Sequence, residues 1–161
     1  MADQSPRQPI SPSPDMFAAT DRLAGGSFDA FVLATRVLIG WLLFVNGWAK
    51  LINPSAFVSY LTALKVPAPD FWVWPSMAAE LGLGMALIVG VATRYAALTG
   101  AIYVLIATAL AHRYWEYPQA QQVNQYAHFV KNLAVLGGML LLFATGAGRF
   151  SLDAWLRRTK G

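Results

Sequence analysis

Four stretches of the chain, about 28–48, 72–91, 95–111 and 126–145, are apolar over close to the length a helix needs to cross a bilayer. At 1.5 Å rise per residue, roughly 20 residues cover the hydrocarbon core, where every backbone N–H and C=O must be satisfied inside the segment. A chain of 161 residues with four such stretches is therefore expected to be all-α, a polytopic four-helix membrane bundle. Composition agrees, since 57% of residues are hydrophobic and 12% charged, about half the charged share of a soluble domain.

What lies between the spans is short and polar. The first 27 residues set Pro6, Pro9, Pro12 and Pro14 among Ser, Gln and Asp, and such a composition predicts a disordered tail. No basic start, apolar run and small-residue cleavage site precede Phe28, no Gly follows Met1, and no cysteine offers a lipid anchor. Insertion is expected to begin with the first span itself. The loop at 53–70 carries Pro54, Pro67 and Pro69, and the apolar spacing at 56–64 predicts one short helix there. Only Ala92, Thr93 and Arg94 separate the second span from the third, which makes those two an antiparallel hairpin. Over 150–161, Ser151 is placed to cap a short interfacial helix with Leu152, Trp155 and Leu156 ahead of Arg157, Arg158 and Lys160.

The formal charge of +4 fits loops facing anionic lipid and does not suggest a nucleic-acid partner. An even number of spans puts both termini on one side with Arg7, Arg22, Arg94, Arg149, Arg157, Arg158 and Lys160, against Lys50, Lys65 and Arg113 opposite. The positive-inside rule then places both termini in the cytoplasm. The opposite face gathers Trp48, Phe71, Trp72, Trp74, Tyr114, Trp115, Tyr117 and Tyr126, a headgroup-level aromatic belt. Small residues four apart, such as Ala86 and Gly90, Ala97 and Ala101, Ala107 and Ala111, and Ala134 and Gly138, suit close helix approach within the bundle or in a homo-oligomer. Met16, Met77, Met85 and Met139 read as packing residues.

The polar residues within the spans are the informative ones: Arg36 in the first, Glu80 in the second, and His128, Lys131 and Asn132 at the start of the fourth. A charge at mid-span costs about 2.5–3.5 kcal/mol on insertion scales unless it pairs or lines a polar cavity. Glu80 lies five residues past Pro75 and Lys131 five past Tyr126, so both are on the order of 8 Å below the outer boundary and an ion pair between them is feasible. Arg36 enters from the other side and offers Glu80 an alternative partner, or snorkels to the inner headgroups. Asn46 and Lys50 share one face at the outer end of the first span, and His128, Lys131 and Asn132 share one face of the fourth. A polar pocket open to the outer side follows, with Arg36, Asn46, Lys50, Glu80, His128, Lys131 and Asn132 as candidate ligand-binding residues and Glu80 and His128 as candidate proton relay. Arg36 and Lys131 are two positive groups set against Glu80, which leaves one for an anionic ligand, a quinone carbonyl, a lipid phosphate or water. A b-type haem between His112 and His128 is geometrically conceivable but disfavoured, two histidines flanking a loop being weak evidence. No metal site is read.

Several short motifs occur in order. The first span reads Arg36, Gly40, Phe44 and then Gly-Trp-Ala-Lys-Leu over 47–51; Glu80 is followed by Leu-Gly-x-Gly; 90–94 is G-V-A-T-R; 128–132 is H-F-V-K-N, with Gly137 and Gly138 after it; and 146–153 is G-A-G-R-F-S-L-D. In this order and spacing the chain resembles the DoxX family of bacterial integral membrane proteins over about 31–155. The resemblance implies a four-helix bundle in the bacterial inner membrane and a part in membrane redox systems, with Arg36, Lys50, Glu80, His128, Lys131 and Asn132 as the recurrent polar positions.

Two functions are expected to compete. In the first, the chain is an accessory or quinone-associated subunit of a membrane redox complex. Lacking cysteine and any flavin or haem motif, it is not an enzyme alone, has no intrinsic cofactor, and depends on a redox partner for its electrons. In the second, it is a non-catalytic membrane module for small-ligand transport or partner scaffolding. A third reading gives the polar cluster only a structural role.

Overall fold

The computed structural model describes residues 14–159. Residues 1–13 of the Pro-rich tail and Lys160 lie outside the described residues, as do the side chains of Met16 and Arg22. The helices are α1 (Pro14–Ile52), α2 (Pro54–Ala63), α3 (Pro69–Val89), α4 (Thr93–Ala111), α5 (Gln119–Thr145) and α6 (Leu152–Arg158), with one 3-10 turn at Tyr114–Glu116. Four segments, Gly25–Ile52, Pro69–Val89, Thr93–Glu116 and Gln119–Thr145, are long and apolar enough to cross a membrane.

The helices run beyond the apolar stretches that announce them, because apolarity marks only the part immersed in hydrocarbon. Helix α1 starts at Pro14, so 14–27, expected with the disordered tail, is helical: once the span has nucleated, each added residue gains one hydrogen bond for the two dihedrals it fixes. Pro69 opens α3, ahead of the apolar stretch at 72–91, and Pro75 lies inside the helix. That places Glu80 eleven residues from the helix start, roughly 16 Å along the axis. The short helix over the first loop is α2, capped by Asn53, whose Oδ1 accepts from the Ala56 N–H at 3.2 Å.

Two intimate pairs make the bundle, α1 with α3 and α4 with α5. Glycines decide the first pair. A Cβ on Gly40 would come within 2.7 Å of the Gly84 carbonyl oxygen, one on Gly84 within 2.8 Å of the Phe44 nitrogen, and one on Gly47 within 3.0 Å of Glu80 Cβ. With no room for a methyl group, the two backbones run in contact, as small-residue seams allow in membranes. The pairs are tied by a core that includes Ile39, Leu43, Leu87, Ala97, Met139 and Leu142. Outward, Leu38, Trp41, Ile102, Leu105, Leu110 and Leu141 stand exposed, an apolar rim suited to lipid.

The C-terminal segment folds back across the α3–α4 turn. Ser151 Oγ caps α6 by accepting from the Ala154 N–H at 3.1 Å. Ala92, at the N-cap of α4, has no capping side chain, and Asp153 supplies one from α6: its Oδ1 accepts from the Ala92 N–H at 2.8 Å and its Oδ2 from the Thr93 N–H at 3.0 Å. The Asp153 N–H donates to the Gly90 carbonyl at 2.9 Å. Asp29, near the start of the first span, accepts from the Arg149 N–H at 2.7 Å. Arg94 donates to the Phe143 carbonyl at 2.7 Å, closing the end of α5. The G-V-A-T-R and G-A-G-R-F-S-L-D motifs therefore form one clasp.

Partial burial raises the Asp153 pKa, but the Thr93 and Ala92 N–H groups, the Thr93 side chain and the Arg157 charge outweigh it, and the net shift is downward. A carboxylate held below its unfolded value, about 3.9, contributes its full stability above that value and loses it as pH falls through the lower folded one. The Ala92 and Thr93 amides are expected to keep their hydrogen-exchange protection from neutrality to about pH 4 and to lose it below. In Asp153→Asn the protection should be weaker at neutrality and flat with pH; an unchanged acid limb in that variant would assign the transition to another group.

Candidate functional site

Glu80 is 7% exposed and sits where α1, α3 and α4 meet. Its partner is neither Lys131 nor Arg36. Lys50 pairs with Glu80 Oε2, while Tyr103 donates its phenolic proton to Glu80 Oε1 at 2.8 Å. Since that proton is engaged, Ser76 Oγ donates to the Tyr103 oxygen at 3.3 Å. Phe57 of α2 covers the pair, with Lys50 Nζ 4.3 Å from its ring centroid. The expected pairing fails for a topological reason: depth matches Glu80 with Lys131, but α3 packs on α1, where the Gly47 approach brings Lys50, one turn beyond, alongside Glu80.

The remaining polar residues form separate groups. Lys131 is exposed and donates to His128 Nδ1 at 3.4 Å. The His128 ring stacks on His112, centroids 5.1 Å apart and planes 17° from parallel, and His112 Nδ1 meets Gln125 Oε1 at 2.8 Å. The two rings thus turn faces, not nitrogens, toward each other. Asn132 Nδ2 donates to Thr108 Oγ1 at 2.9 Å, and Thr108 donates onward to the Val104 carbonyl at 2.6 Å. Asn46 is exposed and donates to the Leu42 carbonyl of its own helix, so it does not join Lys50. Arg36 is at the other end of the bundle, 0% exposed, and donates through Nη2 to the Phe150 carbonyl; its Nε and Nη1 have no partner among the described residues. The single outer pocket read from the sequence is therefore several sites.

One of these sites is a cavity. Between α4 and α5 a groove of about 310 Å³ is lined mostly by apolar side chains, with Trp115 and Phe129 as aromatic walls and Thr108, Asn132 and Arg113 as its polar members. The two rings meet edge to face, centroids 6.1 Å apart. Arg113 Nη1 bonds Glu116 Oε1 at 3.1 Å, whereas Arg113 Nε is closed off from solvent with no partner among the described residues.

Sequence reading missed Tyr103, Ser76, Thr108, Trp115 and Phe129 as site residues, and Asp29 and Asp153 as clasp residues. A signal existed for Tyr103, since a phenol in mid-span needs a hydrogen-bond partner. One existed for Asp153 as well, since a helix starting at Ala92-Thr93 leaves its first N–H groups to be capped from elsewhere.

Four apolar helices with buried polar contacts between them define a multi-pass membrane protein. The DoxX family model matches residues 31–113, and the chain belongs to the DoxX family. It is similar to the inner membrane protein YqjF of Escherichia coli K12, 35% identical over 130 residues, 81% of this chain and 95% of that protein. It is also similar to the inner membrane protein YphA of the same organism, 26% identical over 129 residues, 80% of this chain and 92% of that one. No solved structure matches it. It is a multi-pass inner membrane protein.

Proposed function

We propose that this chain is an accessory subunit that holds a lipid-soluble carbonyl compound, a quinone, for a partner redox enzyme. What supports the reading is the α4–α5 groove, in which a guanidinium N–H without a partner among the described residues and an amide stand beside two aromatic rings in a mostly apolar lining. A quinone headgroup is a flat ring with an acceptor oxygen at each end. Trp115 or Phe129 can stack on it, and Arg113 Nε and the second Asn132 amide proton can donate to one oxygen. A buried acceptor pairs well with such donors because either left alone carries a desolvation penalty. With both termini placed in the cytoplasm by the count of basic residues, the groove opens toward the outer leaflet. Glu80, held on one oxygen by Lys50 and on the other by Tyr103, stands apart as the element that fixes the bundle. Lys131 and His128, expected to serve the same ligand, are not in the groove's lining and bond each other instead.

In detergent, a short-chain quinone analogue is expected to quench tryptophan fluorescence saturably, and Trp115→Phe to remove most of the quenching. Asn132→Leu and Arg113→Gln should each weaken binding about tenfold, the value of one hydrogen bond. Non-saturable quenching, or affinity unchanged from wild type in both variants, would count against the groove as a quinone site. Gentle extraction from the native membrane followed by mass spectrometry tests the partner: a co-purifying dehydrogenase subunit is expected, and a clean protein carrying bulk lipid favours a transport or scaffolding module.

A further inference from the structure

We infer that the cleft at the opposite end of the bundle binds the phosphate of an anionic phospholipid. A cavity of about 620 Å³ lies between the start of α4, the turn at 145–149 and α6. Four arginines line it, Arg94, Arg149, Arg157 and Arg158, against one acidic residue, Asp153. Asp153 is already committed, because its two carboxylate oxygens hold the Ala92 and Thr93 N–H groups. None of the four arginines has a carboxylate partner among the described residues. Four guanidinium groups against one carboxylate leave a net positive charge in a concave site, the electrostatic form of an anion receptor.

The arginines are also positioned. Arg94 is bound to the Phe143 carbonyl and shapes the wall. Arg157 Nε donates to the Asp153 carbonyl at 3.1 Å, which steadies the guanidinium and leaves its terminal nitrogens for a ligand. The Arg149 guanidinium carbon lies 5.3 Å from the Phe150 ring centroid. Arginine presents paired N–H groups in a planar fork that matches phosphate oxygens.

Depth identifies the source of the phosphate. The cleft sits where α4 begins and α5 ends, at the boundary between hydrocarbon and headgroups. Tyr95 and Leu98 of α4 and Trp155 of α6 stand exposed beside it, apolar surface on which acyl chains can lie while the headgroup enters between the arginines. Juxtamembrane clusters of this kind attract anionic lipid. The cleft is distinct from the α4–α5 groove, at the other end of the same two helices, and is independent of its ligand.

The full chain would be reconstituted in nanodiscs of phosphatidylcholine with a minority of phosphatidylglycerol, transferred to detergent, and the retained lipid counted by mass spectrometry. Wild type is expected to enrich phosphatidylglycerol about fivefold over the bulk bilayer. R149Q/R157Q/R158Q should fall to the bulk ratio, R149K/R157K/R158K should retain part of the enrichment, and Lys65→Gln, at the far end of the bundle, should match wild type. Helical circular dichroism and thermal midpoint establish that each variant is folded; should the glutamine variant fail to fold, Arg158→Gln alone, at a side chain with no hydrogen bond among the described residues, is expected to cut the enrichment by half or more. Enrichment unchanged in folded glutamine variants would overturn the proposal. So would displacement of the lipid by millimolar inorganic phosphate or glycerol phosphate, which would assign the cleft to a soluble phosphate compound.

Discussion

Glu80→Leu is expected to destabilise the bundle by about 3–5 kcal/mol, since it strands a buried Lys50 ammonium in a site built for an ion pair. Tyr103 loses its acceptor in the same step, keeping only Ser76. Titration of sodium dodecyl sulfate into detergent-solubilised protein, read by circular dichroism, would register the loss as a lower unfolding midpoint. Lys50→Met combined with Glu80→Leu should recover much of it, because removing a buried pair is far less harmful than breaking one. Lys131→Met in place of Lys50→Met should recover nothing. If the double variant with Lys50 is as unstable as Glu80→Leu alone, the two groups are not coupled and the α1–α3 seam holds without them. A stable double variant that still binds quinone would confine the pair to a structural role.

The second large effect is expected at Gly90→Ala, with a loss of about 2–5 kcal/mol from left-handed strain plus overpacking. Gly90 has φ +77°, a conformation in which a Cβ is unfavourable wherever it occurs. Here the methyl group would also overlap Arg36 Nη1 and approach Ser151 Cβ within 2.6 Å, and neither neighbour is a free surface side chain. Arg36 is fully buried and tied to the Phe150 carbonyl, so moving it loosens the C-terminal segment. A lower unfolding midpoint together with faster trypsin cleavage at Arg157 and Arg158 is expected. Gly82→Ala serves as the contrast, as nothing lies within 4 Å of the position its methyl group would take. Equal behaviour of the two variants would show that the guanidinium does not fill the space over Gly90.

The spans were legible because hydrocarbon imposes a length and an apolarity that soluble folds do not require, and the ionisable residues within them stood out for the same reason. Their partners were not legible. Depth along a helix is a one-dimensional coordinate, and Glu80 shares its depth with residues on more than one neighbour; which neighbour it meets depends on lateral packing. The packing is set by Gly40, Gly47 and Gly84, and glycines are too common in membrane spans for three of them to announce a seam. Lys50 reads as an end-of-span residue, but the Gly47 contact with α3 and the cover of Phe57 enclose it. The groove at Asn132 is not legible because one wall, Trp115, looks like an ordinary member of the interfacial belt and the other, Phe129, like an ordinary apolar residue of a span. Ser151 and its short helix were readable from the local sequence; the function of Asp153 was not, because its partners lie 60 and 61 positions earlier.

That separation has a consequence for biosynthesis. The four spans are translated and can enter the bilayer one after another, yet the first turn of α4 stays uncapped and the Arg36 guanidinium lacks its carbonyl until residues 150–153 have left the ribosome. Insertion and completion of the fold are thus separate events, and the residues that follow the fourth span act as the stitch between them: a nascent chain halted just before those residues would already be in the membrane, correctly threaded, with one end of its bundle still open.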